Sequence, residues 1–410
     1  MWKTNPLNSS FPGLPNSESD DSQRFFGLDV LRFVAVTLVL HIHSLIEFNL
    51  YQPRRRSELF THVTDWIVPA GSTGVDLFFV LSGFLVSGLL FKEFIQYGTM
   101  SFGQFFVRRA FKIYPAFWIL IGLTLILRLR QSGKWDVSGL FAELFFVQNY
   151  FPGLWGHTWS LAVEEQFYIL LIGSFIVLKL IARENILNVH LVPRVFDVVL
   201  VGCMIARVLT WWYLPRTNSF HYRWATWVTH LRIDALFFGM LLAYWWYFRW
   251  DEDTKRNVMS LKYVFAVAGL ILISPIPERL MTYDLWQIFR FVVIYVGAGC
   301  LLLAALTLKP SNLAGCFQWM AWLGRHSYSV YLWHMLVLIG LKPYTRTQNS
   351  TLASFMAIEA ACHAACWAVG IFAARIIEFP VLRLRDKLFP SRVSKTRSAL
   401  VKEAESAVAV

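Results

Sequence analysis

Charge is what this sequence has least of. Only 16% of its 410 residues are Asp, Glu, Lys or Arg, where a soluble domain carries about a quarter. With 56% hydrophobic residues, that scarcity argues against a packed water-soluble core. Cysteine is scarce too. Cys203, Cys300, Cys316, Cys362 and Cys366 fall in or near apolar runs without metal-type spacing, and read as small packing residues. Residues 1–26 are polar and lack a basic stretch followed by an apolar core. No cleavable signal peptide is therefore expected, and the first span is expected to direct insertion itself. No internal repeat is visible.

What the chain does have is long apolar runs along its whole length, with 18 Trp and 15 Tyr among them. Runs of this kind are long enough to cross a bilayer as helices, and amphipathic rings favour the membrane–water interface. The expected class is all-α, a polytopic membrane protein of about ten transmembrane helices, near 27–46, 73–91, 111–128, 161–181, 195–214, 231–248, 262–277, 288–308, 320–341 and 353–377. Three segments follow: a polar N-terminal segment at 1–26, a transmembrane domain at 27–379 and a basic tail at 380–410. No second domain is expected after Phe379.

A net charge of +12 is of the sign that binds nucleic acid, but its distribution excludes that partner. The basic residues sit in short loops and in the tail from Arg383 to Lys402. Lys and Arg are more numerous in the segments that lie inside when both termini are cytoplasmic, which is the orientation expected. The tail also suits contact with anionic lipid of the bilayer.

The first span, "LDVLRFVAVTLVLHIHSLIEF", carries Asp29, Arg32, His41, His43 and Glu47 among its apolar residues. Ionisable groups inside a span cost a few kcal/mol each on insertion scales, so they rarely sit there without a partner or a task. Arg32 and His43 fall within about 20° of one another on a helix and about 16 Å apart along its axis, while His41 falls on the opposite side. By spacing, Asp29 can pair with Arg32 and Glu47 can hydrogen-bond to His43. His41 reads as a packing residue. Arg32 with His43 reads as a functional stripe, because a histidine there can move protons near neutral pH.

Further clusters recur downstream. "GVDLFFVLSGFL" (74–85) places Asp76 at the start of the second span, where a cap and a site role are both open. "FVRRAFKIYP" (106–115) carries Arg108, Arg109 and Lys112 ahead of the third span. A positive-inside anchor and an anion site for a phosphorylated cofactor are the two readings. Pro115 after the cluster is expected to mark a helix break or start. "TWSLAVEEQFY" (158–168) repeats Ser160, Glu164 and Tyr168 every four residues, a polar stripe on the fourth span. Arg232 and Asp234 open the sixth span, and His334 lies in the ninth. An aromatic-rich stretch, "SFHYRWATW" (219–227), suits stacking on sugar and interfacial anchoring equally.

With these motifs in this order, the chain resembles the integral-membrane acyltransferase family 3, which modifies bacterial surface glycans and some small molecules. The likeness covers residues 23–385 and rests on Arg32 and His43 with ten residues between them, "GVDLFFVLSGFL", the "RRxxKIxP" cluster, "WSLAVEEQFY", "RIDALFFG" and "LGRHSYSVYLWH". The resemblance implies ten helices in a bacterial plasma (inner) membrane and an acyl-CoA donor, commonly acetyl-CoA, on the cytoplasmic side. It also implies a carbohydrate hydroxyl as acceptor, in some cases lipid-linked. By position His43 looks like the catalytic histidine, Arg32 its motif partner, and Arg109 with Lys112 the donor-linked basic pair. Lys112 departs from the usual Arg, keeping the charge but losing the bidentate fork. Glu164 is expected near the reacting groups, with Glu47, Asp76, Ser160, Tyr168, Arg232, Asp234 and His334 in support and Arg108 beside the donor. No metal is expected. The rival class is a proton-coupled transporter or flippase, whose repeated halves are not visible here.

Overall fold

The computed structural model describes residues 18–47, 71, 73–181, 188–213, 226–309, 315–344 and 352–392, and every regular element among them is helical. In chain order the α-helices are α1 (Glu18–Glu47), α2 (Gly74–Tyr97), α3 (Phe102–Ser132), α4 (Val137–Leu144), α5 (Trp159–Ile181), α6 (Val192–Tyr213), α7 (Asp234–Tyr244) and α8 (Glu252–Ser260). They continue as α9 (Lys262–Ile273), α10 (Ile276–Leu280), α11 (Tyr283–Ala305), α12 (Gly315–Gly324), α13 (Ser327–Leu341), α14 (Leu352–Ala373) and α15 (Phe379–Leu388).

Among the described residues, seven helical stretches are long and apolar enough to cross a membrane. The pair α8 and α9, bent by 60°, makes an eighth if counted as one span. The remaining expected spans, 231–248 and 320–341, are helical but in shorter pieces. The first is α7 followed by a π-helical turn, Trp245–Arg249. The second is α12 and α13, parted at Arg325 and His326, where the His326 amide turns back to the Leu323 carbonyl at 2.8 Å.

Two boundaries differ from expectation. α3 runs unbroken through Pro115, so Arg108, Arg109 and Lys112 sit inside a 31-residue helix rather than ahead of it. A proline removes only one backbone donor, and the apolar turns on either side continue the helix. At the other end, α15 occupies the start of the expected tail. Residues 1–17 of the polar N-terminal segment, 219–225 of the aromatic stretch and the tail from 393 lie outside the described residues.

The helices group into two compact units. One comprises Met1–Ile42, Pro53–Leu85 and Ala235–Ser327, the other His43–Gln52, Val86–Asp234 and Tyr328–Val410. The first is packed through small residues. A Cβ on Gly83 would lie 2.0 Å from the Leu236 carbonyl oxygen, and one on Gly239 would lie 2.3 Å from that of Val80. α2 and α7 therefore touch backbone to backbone, the approach that glycine allows between membrane helices. Gly324 stands in the same relation to the Asp29 carbonyl, so α12 lies directly on α1, with Trp319 edge-on to Phe33 at 5.7 Å.

The second unit is held by larger side chains. Phe91 packs on Phe175 with ring centroids 6.0 Å apart, and the Tyr328 hydroxyl donates to the Ile113 carbonyl at 2.6 Å. Its α14 continues into a π-helical turn, Ala374–Glu378, whose buried Glu378 accepts from Ser329 Oγ at 2.6 Å.

The α2–α7 crossing gives a direct test. Gly83→Val has no space to occupy, and overpacking of this kind costs about 1–3 kcal/mol or more. A clear fall in melting temperature in detergent is expected; an unchanged value would show that the two helices do not meet at this glycine.

Candidate active site

The second unit gathers three imidazoles. His43 comes from the last turns of α1, His334 from the middle of α13, and His157 from the non-helical residues just before α5. Ring centroids are 4.9 Å apart for His43 and His334, 4.9 Å for His157 and His334, and 6.5 Å for His43 and His157.

Hydrogen bonds fix which nitrogen of each ring carries a proton. His334 Nδ1 lies 2.5 Å from the Tyr331 carbonyl oxygen, which only accepts, so this nitrogen is the donor. In the neutral ring Nε2 then holds the lone pair, and His43 Nδ1 lies 2.9 Å from it as donor. That leaves His43 Nε2 as the basic nitrogen. His157 is fixed the other way round. Its Nε2 donates to the Leu332 carbonyl at 3.2 Å, leaving the lone pair on Nδ1, which is buried without a hydrogen-bond partner among the described residues. Burial, with the nearby His43, pushes the His157 pKa down to about 3, so the ring is neutral at ordinary pH.

Tyr331 ties the cluster together. Its hydroxyl donates to the His157 carbonyl at 2.6 Å and meets Ser160 Oγ at 2.5 Å. The segment entering α5 is thus stapled to α13 at both ends of His157. Each such bond is worth about 0.5–1.5 kcal/mol net, and more is lost if one partner is left buried alone.

A second layer holds the His157 segment from the far side. Glu143, on α4, is fully buried and accepts from the Trp155 amide at 3.1 Å and from the Thr158 hydroxyl at 3.0 Å. Gln148 donates to the Thr158 carbonyl at 3.0 Å, and Arg128 donates to the Leu154 carbonyl at 2.5 Å while pairing with Asp136 at 2.6 Å. Asp136 in turn caps α4 through the Gly139 amide at 2.9 Å. Burial outweighs these donors and pushes the Glu143 pKa up to about 7.

The other expected site residues are distributed as follows. The Tyr168 hydroxyl donates to Glu164, one turn back along α5, so the four-residue stripe is real geometry. Arg109 lies 5.7 Å from the ring centres of both Phe105 and Tyr168, and makes no hydrogen bond or ion pair among the described residues. Lys112 follows one turn later on α3 and is half-buried. Arg108 pairs with Asp386 at 3.1 Å and donates to the Phe389 carbonyl. Glu47 turns to Lys342 at 2.7 Å rather than to His43, because a full ion pair outcompetes a neutral imidazole for a carboxylate. Asp234 is gripped by Arg207 at 2.7 Å, not by Arg232, whose guanidinium lies 5.3 Å from the Trp159 ring centre. Arg32 and Asp76 belong to the first unit. There Arg32 pairs with Asp29, as their spacing predicts, and Asp76 is buried in the first turn of α2.

Two residues of this arrangement are absent from the sequence reading. His157 stands one position before "TWSLAVEEQFY" and was within reach of that motif. Glu143 was signalled only by being a single acid in an aromatic run, "LFAELFF".

A family model described as an acyltransferase domain matches residues 25–372. Among curated proteins, the O-acetyltransferase OatA of Staphylococcus aureus strain NCTC 8325 is 27% identical over 305 residues, covering 69% of this chain and 48% of its own. The peptidoglycan O-acetyltransferase OatA of Listeria monocytogenes serovar 1/2a is 24% identical over 339 residues, covering 76% and 51%. A putative O-acetyltransferase of S. aureus strain COL is 28% identical over 347 residues, covering 78% and 51%. The chain spans about half the length of the curated relatives it matches. No solved structure matches it significantly.

The buried carboxyl gives a pH test. Because its folded pKa is raised, Glu143 favours folding most below its ordinary 4.5, and that contribution is lost as pH rises through about 7. The melting temperature in detergent is expected to drop between about pH 5 and pH 8, and to drop less in Glu143→Gln, which cannot ionise. Equal slopes in the two proteins would show that this carboxyl does not titrate in the folded state over that range.

Proposed function

We infer the function from one premise: this chain belongs to the acyltransferase family, whose model it matches over residues 25–372. We propose that it is a membrane O-acetyltransferase of a bacterial plasma membrane, with both termini cytoplasmic, that moves an acetyl group from acetyl-CoA to a hydroxyl of a surface carbohydrate. The observation that carries the reading is the His334–His43 hydrogen bond, which puts the lone pair of the neutral His43 ring on Nε2. The naming of curated relatives as O-acetyltransferases supports the reaction class, and one named for peptidoglycan supports a carbohydrate acceptor.

In this mechanism His43 Nε2 takes the proton of the acceptor hydroxyl as its oxygen attacks the thioester carbonyl. The C–S bond then breaks, and the imidazolium returns its proton to the leaving thiolate, giving the ester and free coenzyme A. His334 holds the ring in the productive tautomer throughout. Tyr331, Ser160 and the Leu332 carbonyl keep His334 and His157 in register with it. Arg109 and Lys112 are cations suited to the donor's phosphates. Arg109 is the better placed, since its guanidinium lies against ring faces and makes no hydrogen bond or ion pair among the described residues.

The test is alkali-labile acetate on surface glycan of cells making wild type, His43→Ala or His41→Ala at equal membrane expression. Loss with His43→Ala and retention with His41→Ala are expected. Equal acetate in all three would overturn the reading. In purified protein, His334→Phe removes the acceptor that fixes the tautomer. It should lower kcat about 10- to 100-fold, short of the 10²- to 10⁴-fold that a whole general base contributes because His43 itself remains, without raising the acetyl-CoA KM.

A further inference from the structure

The residues that follow α15 form a strap across the start of α3 and the end of α2. Gln104 donates to the Pro390 carbonyl at 2.5 Å, the Tyr97 hydroxyl donates to the Arg392 carbonyl at 2.6 Å, and Arg392 pairs with Glu93 at 3.1 Å. This brings Arg385, at the end of α15, beside Arg108 on α3.

Between the two arginines stands one carboxylate oxygen. Asp386 Oδ1 accepts from Arg385 Nε at 2.9 Å and Nη2 at 2.8 Å, and pairs with Arg108 Nη2 at 3.1 Å. Two guanidiniums converging on a single oxygen is the arrangement by which proteins hold phosphate, whose further oxygens each admit another donor. The charge does not balance: two cations face one anion, and Arg109 follows directly on α3. The occupant is also loosely held. The Asp386 side chain is 54% exposed, against 24% for Arg108 and 16% for Arg385. Ion pairs this open to water contribute little to folding. A fixed structural pair would place its carboxylate under cover, as Asp234 is covered against Arg207.

We propose that Arg108 and Arg385 form a two-arginine phosphate site, occupied by the Asp386 carboxylate, and that a phosphate of the donor's nucleotide displaces that carboxylate. The inference rests on acetyl-CoA as donor, the reading given above. It adds Arg385, from a helix the sequence reading assigned to a tail, to the donor site. It also makes Asp386 an internal competitor that weakens donor binding until a more highly charged group arrives.

Two donors separate this site from the chemistry. Acetyl-CoA carries the nucleotide phosphates, and S-acetylpantetheine carries none. With purified full-length protein, Asp386→Asn should lower the acetyl-CoA KM about three- to fivefold, the scale of one exposed ion pair. Arg385→Gln should raise it by about tenfold, the scale of a lost charge-assisted bond. Neither variant should change kcat or the KM for S-acetylpantetheine, and both should keep the wild-type melting temperature. Unchanged KM for acetyl-CoA in both variants, or equal shifts with both donors, would overturn the site. Calorimetric titration with coenzyme A, which needs no turnover, distinguishes the two levels of failure. Wild type that binds no coenzyme A overturns the donor reading and this site with it. Wild type that binds it, with both variants binding equally well, overturns the site alone.

Discussion

A single backbone carbonyl, that of Tyr331, sets the state of the histidine cluster. It is an acceptor only, so His334 must present a proton to it, and His334 must then accept from His43. The basic nitrogen of His43 is thus specified by the helix of a different segment, 291 residues away in sequence. The Tyr331 side chain fixes the third ring through the His157 carbonyl, and Leu332 closes the loop by accepting from that ring. Tyr331, Leu332 and His334 on α13 therefore hold two histidines that the chain brings from elsewhere. In a low-dielectric interior such a network is cooperative, and a change at any member leaves another polar group buried without its partner.

The polar groups in the apolar helices divide by what they touch. Arg207 and Asp234 are almost fully buried and bonded to each other, and Arg207 also donates to the Leu231 carbonyl. Breaking such a pair by removing one member costs about 3–5 kcal/mol, which is a structural role. Arg32 with Asp29, and Tyr168 with Glu164, are likewise satisfied within a helical turn. Arg109 differs, since its contacts are ring faces that support a guanidinium without saturating its donors. Burial cost alone marks all of these as unusual. Saturation of hydrogen bonds separates those that hold the fold from those left to bind something else.

The same distinction explains what was legible in the sequence. Apolar runs located the helices, because length and hydropathy are local properties, and helical period put Ser160, Glu164 and Tyr168 on one stripe and Asp29 next to Arg32. Glu47 was assigned to His43 on the same local rule and found Lys342, 295 residues on, instead. There a charged partner brought by tertiary packing displaced a nearer one, which spacing along a helix cannot foresee. Pro115 misled for a related reason: the propensity of one residue yielded to the apolar turns on both sides of it. His157 and Glu143 were missed because each draws its meaning from contacts with a segment far along the chain.

Neutral rings at this spacing also limit how the proposed chemistry can run. A second positive charge placed about 5 Å from a first would cost roughly 3 kcal/mol at an effective dielectric constant of 20. With centroids 4.9 Å and 6.5 Å apart, the cluster therefore accommodates one added proton and resists another. Burial already keeps His157 neutral, so it takes part as a fixed neutral ring rather than as a proton carrier. The proton removed from a hydroxyl by His43 then has no second imidazole in which to rest at low cost. Its favourable exit is the departing thiolate, which is released when the C–S bond breaks in the step that follows. One histidine serving as base and then as acid, held by a neutral neighbour, is what this arrangement of rings permits.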